Sequence, residues 1–272
     1  MNSPHKPRKR FGQNFLIDQQ VIGQIVSAIN PIPEDNLIEI GPGMAAITEH
    51  LVKRCPSMSL VELDRDLIVF LKQKLADFPD VTIINSDALK TDYSQFFTGD
   101  KMRLVGNLPY NISTPLLFHL LEARTMIRDM HFMLQREVVD RLCAGPGDKS
   151  YGRLSIMIQY HCRVNPLIPV PPSSFNPAPK VQSAVVRLTP YADTPYKADD
   201  PKLLRQLVSL CFQQRRKTLK NCLSTFAAYI DTTNPPIELT KRPEQLSVKE
   251  FVALSNSIHQ NKVSLDESFH AR

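Results

Sequence analysis

Between Leu37 and Leu134 short apolar runs alternate with stretches of helical periodicity, and this alternation limits the fold more than any other feature of the chain. Leu37-Ile38-Glu39-Ile40, Ser59-Leu60-Val61-Glu62, Val81-Thr82-Ile83-Ile84, Met102-Arg103-Leu104-Val105-Gly106 and Met130-His131-Phe132-Met133-Leu134 are too short for helices and too apolar for a surface. Runs of this kind are expected as buried strands. Helical patterns stand between them: Met44 to Lys53, then Leu67, Ile68, Leu71 and Leu75 behind a capping Asp64, then Ile112 to Leu121. The alternation predicts a mostly parallel, doubly wound α/β sheet of Rossmann-like type. Two further strand-like runs, Val164 to Val170 and Val181 to Leu188, flank the proline-rich stretch from Pro171 to Lys180. A hairpin there would close the sheet with an antiparallel strand.

The pattern changes on either side. Ahead of the sheet, Asp18 is placed to cap a helix carrying Val21, Ile22, Ile25, Val26 and Ile29, with Pro31 as its stop. Lys6, Arg8, Lys9 and Arg10 precede it with no acid among the first ten residues, either a solubilising arm or, for Arg8, Lys9 and Arg10, a contact for RNA. Beyond a polar, turn-rich linker the apolar positions from Leu203 onward follow helical spacing only. Three regions are expected: a basic arm over 1–17, an α/β domain over 18–190 and a small all-α domain over 191–272.

Composition removes several classes. The five cysteines are scattered with no C-x-x-C pair, and the seven histidines lack metal spacing, so neither a disulfide framework nor a metal site is expected. No apolar run approaches the ~20 residues that span a bilayer. With no apolar stretch behind the first ten residues, a cytoplasmic location is expected. The net charge of +6 is a modest basic excess whose distribution matters more than its size.

Candidate chemistry gathers at the strand ends. Gly41-Pro42-Gly43 follows the first strand and permits close backbone approach to a ligand. Glu62 ends the next strand ~20 residues on, where an acid commonly holds ribose hydroxyls. Asp87 lies just past the third strand, placed to accept from an adenine amino group. Either acid alone could be a solvated loop end. Pro42 and the lack of later glycines do not suit a pyrophosphate, so a nucleoside without phosphates fits better, with S-adenosylmethionine the evident one.

The fourth strand ends in Asn107-Leu108-Pro109-Tyr110, since proline cannot extend a sheet ladder. The tetrapeptide suits attack by an exocyclic base amine on an electrophilic methyl group. The Asn107 side-chain carbonyl and the Leu108 backbone carbonyl can each accept one N–H bond, aiming the nitrogen lone pair out of the ring plane. Pro109 stiffens the turn and Tyr110 offers a face for stacking. A plain strand-to-helix turn uses the same residue types.

Together these stretches resemble the ribosomal RNA adenine dimethyltransferase family, specifically the KsgA-type enzymes of small-subunit (16S) rRNA. The resemblance rests on Arg8-Lys9-Arg10-Phe11-Gly12-Gln13-Asn14-Phe15-Leu16, Glu39-Ile40-Gly41-Pro42-Gly43, Val61-Glu62-Leu63-Asp64, Asn107-Leu108-Pro109-Tyr110 and Phe175-Asn176-Pro177-Ala178-Pro179-Lys180-Val181. It implies dimethylation of N6 of two adjacent adenines in a loop near the 3′ end of small-subunit rRNA, on an immature subunit; the sequence does not give the oligomeric state, and a monomer is the default expectation. It further implies that Asn14 and Leu16 contact the cofactor beside Gly41, Glu62, Asp87 and Asn107. Tyr110 and Phe175 would stack a flipped adenine, and Lys180 would lie near the RNA entrance. For Phe175 the alternative is a residue pinning a proline-rich loop to the core. One departure is Ala45, where the general methyltransferase pattern often has a third glycine.

The basic cluster Arg215, Arg216, Lys217 and Lys220 is either an RNA-docking surface or a solvated helix end favoured by the helix dipole. Two other functions compete. A large-subunit rRNA methyltransferase of the macrolide-resistance type shares the Asn-hydrophobic-Pro-Tyr core. An assembly factor that acts by binding alone would have a damaged cofactor site, which Gly41, Glu62, Asp87 and Asn107 do not suggest.

Overall fold

In the computed structural model, which describes residues 14–214 and 216–270, the apolar runs form the parallel part of a seven-stranded sheet. In chain order the elements of the α/β part are β1 (Phe15–Leu16), α1 (Gln19–Ile29), β2 (Asn36–Ile40), α2 (Thr48–Leu51), β3 (Ser59–Glu62), α3 (Arg65–Lys74), β4 (Thr82–Asn85), β5 (Met102–Asn107), α4 (Ser113–Glu122) and β6 (Ile127–Gln135). Then follow α5 (Arg136–Cys143), α6 (Arg153–His161), β7 (Cys162–Val170), β8 (Phe175–Asn176) and β9 (Ser183–Pro190). Three α-helices follow among the described residues: α7 (Pro201–Gln213), α8 (Leu219–Cys222) and α9 (Val248–His270).

The main sheet has the order β4-β3-β2-β5-β6-β9-β7, parallel from β4 to β6. β9 runs antiparallel to both β6 and β7, so the hairpin inserts its second strand next to the parallel part and leaves its first at the edge. Chain order reverses between β2 and β5. That reversal opens a crevice at their carboxyl ends, where doubly wound sheets bind ligands.

Local sequence accounts for the helices that frame it. The Asp18 carboxylate accepts from the N–H groups of Gln20 and Val21, and Asn30 closes α1 in a left-handed turn just before Pro31. Val21, Ile22, Ile25, Val26 and Ile29 are all buried, one stripe at helical spacing. Asp64 caps α3 in the same way. The helix expected over 44–53 shrinks to α2, Thr48–Leu51. Gly41, Gly43 and Ala45 all have positive φ, which keeps the chain out of right-handed helix until after them.

Two compact units emerge. One joins the described residues up to Val139 with Cys162–Pro190; the other joins Asp140–His161 with the described residues from Tyr191 onward. The linear division at 190/191 is therefore corrected. The chain leaves the α/β unit after Val139 and returns at Cys162, because α6 is buried almost all round and packs with the helices of the second unit. In that unit Tyr151, Phe212 and Phe251 form a chain of ring contacts 6.5 and 6.1 Å long. Asp200 caps α7 with Pro201 at its first position, and Ser247 and Glu250 form a reciprocal capping pair at the start of α9. Among the described residues no helix is long and apolar enough to cross a membrane.

Candidate active site

Gly106 decides how closely β5 can approach the end of β2. A Cβ there would lie 2.3 Å from the carbonyl oxygen of Ile40, a separation that no side chain survives. Its absence lets Asn107 stand beside the glycine turn. A cavity of about 350 Å³ opens over these two strand ends and that of β3, well sized for a nucleoside-bearing ligand. Asn14, Leu16, Gly41, Glu62, Asp87, Asn107, Leu108, Pro109 and Tyr110 all line it. These are the positions singled out for catalysis and cofactor binding, with one exception.

The exception is Phe175. It does not line the cavity and is 4% exposed, packed in the apolar cluster with Leu16, Val170 and Val185. β8 pairs antiparallel with β1, setting Phe175 against Leu16. The Ile17 N–H donates to the Ser174 carbonyl, and the Ser174 hydroxyl donates to Asp18. Phe175 thus holds the proline-rich loop to the core, and the expectation that it faces a base is corrected for this arrangement. The pairing joins segments roughly 160 residues apart, which local pattern does not reveal.

The glycine turn and Glu62 form one cradle. The Glu62 carboxylate accepts from the N–H of Asp64 at 2.8 Å and from that of Gly43 at 3.3 Å. A carboxylate has about four accepting sites, so part of its capacity is left for hydroxyls of a ligand. Burial raises its pKa, against the backbone N–H bonds that lower it. Gly43 suits its place twice over: its φ is +57°, which favours glycine, and a Cβ would come within 3.2 Å of the Phe15 ring, which would have to give by a few tenths of an ångström. Asp87 uses one oxygen to cap the turn at Leu89, leaving the other for an adenine amino group.

Asn107 is oriented by its neighbour. Its Nδ2 donates to the Asn14 carbonyl at 3.2 Å, so Oδ1 is the atom left to accept from a substrate. Leu108 N–H is taken by the Met133 carbonyl, which fixes the loop to β6.

Glu39 was missed. It lines the cavity, is 2% exposed, and accepts from the Thr48 hydroxyl at 2.7 Å. Burial pushes its pKa up to about 7, the Thr48 bond opposes this, and the Glu62 charge adds to it. The available signal was an acid inside a buried strand, two residues before the glycine turn. The two acids, the positive-φ glycine turn and Asp87 suit a cationic nucleoside such as S-adenosylmethionine, with Glu62 open to ribose hydroxyls and Asp87 to an adenine amino group.

Of the basic residues, Lys180, Arg216, Lys217 and Lys220 are at least partly exposed. Arg8, Lys9, Arg10 and Arg215 lie outside the described residues.

Comparison with known proteins agrees with this geometry. The profile of the family described as ribosomal RNA adenine dimethylase matches residues 4–260. Ribosomal RNA small subunit methyltransferase A of Saccharophagus degradans is 56% identical over 255 residues, covering 93% of this chain and 95% of that protein. Its counterpart in Pseudomonas aeruginosa is 52% identical over 255 residues, with the same coverage of each. Among solved structures, a dimethyladenosine transferase from Plasmodium falciparum superposes with a TM-score of 0.79 at 25% identity, covering 91% of this chain and 98% of that one. The 23S rRNA methyltransferase ErmE shares the fold, at a TM-score of 0.68 and 22% identity over 91% of this chain and all of that one. The profile spans both units and the cradle leads into the Asn-Leu-Pro-Tyr loop, so the chain belongs to the ribosomal RNA adenine dimethylase family of S-adenosylmethionine-dependent methyltransferases.

Proposed function

We propose that this chain dimethylates N6 of two adjacent adenines in a loop near the 3′ end of small-subunit rRNA, acting as a cytoplasmic monomer on an immature subunit. One observation carries the reading: a single cavity runs from the Gly41–Glu62 cradle to Asn107-Leu108-Pro109-Tyr110. Cofactor and amine can therefore meet without passing through solvent. The similarity to small-subunit enzymes, at 50–56% identity, favours this substrate over large-subunit rRNA.

S-adenosylmethionine, when bound, supplies an electrophilic methyl on a cationic sulfur. The protein's part is to present the amine. An adenine has to leave its stack to reach the cavity, at a cost of a few kcal/mol that a stacking face and N6 hydrogen bonds offset. Tyr110 is that face. Asn107 Oδ1 and the Leu108 carbonyl accept the two N–H bonds, hold the lone pair out of the ring plane and stabilise the positive charge that grows on N6. A stacking role for Phe175 requires the β1–β8 pair to part.

The helical unit is the RNA-docking part of this reading. In addition to Arg216, Lys217 and Lys220 it carries a groove lined in part by Arg153, Lys202 and Arg205, with Lys202 and Arg205 on the polar face of α7. Changing Arg216, Lys217 and Lys220 to Ala is expected to lower the salt slope of particle binding by ~0.7–0.9 for each phosphate no longer neutralised. An unchanged slope removes the docking assignment. The function itself is tested by mass spectrometry of rRNA from cells lacking the gene. Loss of small-subunit dimethyladenine is expected; loss from the large subunit, or no loss, overturns the proposal.

A further inference from the structure

The geometry points to Ser183 as a positioning residue for methyl transfer, acting through Tyr110. This inference rests on the proposed role of Tyr110 as the face on which the target adenine stacks. Ser183 opens β9 and is buried, paired with Gln135 of β6 on one side and Val170 of β7 on the other. Its backbone is thus held between two neighbouring strands. Its hydroxyl lies 2.9 Å from the Tyr110 hydroxyl, the one side-chain link between the Asn-Leu-Pro-Tyr loop and β9 that the hydrogen bonds show among the described residues.

The two partners need this bond unequally. Tyr110 is half-buried at the rim of the cavity, where water can satisfy a phenol. Ser183 is 1% exposed, so its hydroxyl has to find its partner inside the protein. The bond therefore fixes the Tyr110 ring at little benefit to the phenol itself. At its near end the ring is already constrained by Pro109 and by the Ser113 hydroxyl, which donates to the Tyr110 carbonyl at 3.1 Å. Ser183 pins the far end. With both ends held the ring cannot swing about Cα–Cβ, and conjugation of the phenol favours its proton in the ring plane, which limits rotation about the ring axis. A stacking face fixed in advance spares the incoming base the entropy of ordering it. The base then arrives with its amine at the depth of Asn107 Oδ1.

The test is a double-mutant cycle on methylation of small-subunit particles lacking dimethyladenine. Ser183→Ala and Tyr110→Phe each break the same bond, and the Phe ring keeps the stacking face. Each is expected to lower kcat/KM about tenfold with the Kd for S-adenosylmethionine unchanged, while the melting temperature holds in Ser183→Ala and drops modestly in Tyr110→Phe, which leaves the buried Ser183 hydroxyl unpaired. The double variant is expected to be no slower than either single one. Wild-type kcat/KM in both single variants, or losses that multiply in the double one, overturns the inference. Should Ser183→Ala fail to fold, Tyr110→Phe decides alone. Tyr110→Ala separates the two layers of argument. If it is slow while Tyr110→Phe is fully active, stacking stands and Ser183 falls; if it is fully active, the stacking reading falls and Ser183 with it.

Discussion

β5 carries a polar side chain near each end, and the protein treats them in opposite ways. At its start Arg103 is buried and each of its three nitrogens is met. Nε faces both oxygens of Asp129 at 3.1 and 3.2 Å, Nη1 meets Asp35 at 2.7 Å, and Nη2 donates to the Ile29 carbonyl at the end of α1. Arg128 takes the second oxygen of Asp35. At the other end Asn107 is half-buried, gives its N–H to Asn14, and its oxygen has no protein partner among the described residues. A saturated buried group ties chain to chain; a group with one atom left over is available to a ligand. A few residues of one strand separate its scaffold end from its chemical end.

Removing Arg103 tests the first half of that contrast and has the largest expected effect. Arg103→Ala leaves Asp35 and Asp129 buried without their main cation, at a loss of about 3–5 kcal/mol. Urea unfolding reads it, and a loss below about 1 kcal/mol breaks the comparison. Glu39 is intermediate, with one hydrogen bond and a folded pKa of about 7 against 4.5 as the ordinary value. The folded protein binds this proton more tightly than the unfolded chain does. The associated stability is therefore full below about pH 4.5 and is lost as pH rises through about 7, a swing of up to ~3 kcal/mol. Melting of the cofactor-free wild type should fall across that window relative to Glu39→Gln; parallel curves would deny Glu39 the raised pKa.

Asn107→Ala sharpens the second half. Losing one acceptor should slow both transfers by ~1–3 kcal/mol in the barrier while stability stays within about 0.5 kcal/mol. Monomethyladenine should accumulate beyond the wild-type level, because the once-methylated amine has a single N–H left and fewer ways to be held. A wild-type product ratio at every extent of reaction would remove Asn107 from this role. Glu62→Gln keeps the shape of the cradle and weakens its charge-assisted bonds, so calorimetry should show S-adenosylmethionine binding about tenfold weaker with the fold intact. Equal affinity would move the ribose elsewhere. The smallest effect belongs to Ala45, buried at φ +65°. Glycine would relieve ~1–2 kcal/mol of left-handed strain, offset by a freer unfolded chain and the burial forfeited with the methyl group. Thermal unfolding of Ala45→Gly should show a change in stability of less than about 1 kcal/mol in either direction.

What the sequence disclosed follows the range of the forces involved. Strand ends at Gly41, Glu62 and Asn107 were legible because apolar runs and turn residues act within a few positions. The hydrogen bond that orients Asn107 was not, since Asn14 lies 93 residues away. Phe175 was misplaced for the same reason: an aromatic in a proline-rich loop looks exposed until its partner strand is known. The excursion of Asp140–His161 was hidden because α6 has an ordinary helical pattern, and nothing local says which unit its apolar faces join. Glu39 escaped notice because an acid amid Leu37, Ile38 and Ile40 looks like an interruption of a core strand. The structure makes it a lining residue.

The pairing of β1 with β8 has a consequence for the order in which the protein is made. Phe15 and Leu16 are synthesised well before the strand that holds them, which is about 160 residues downstream. At ~5–20 residues per second that interval is on the order of ten to thirty seconds. Throughout it Phe15 has no strand to pair with beside Gly43, and the wall of the cavity that Asn14 and Leu16 supply is unfinished. A growing chain can fold β2 to β5 early and still not close around a nucleoside.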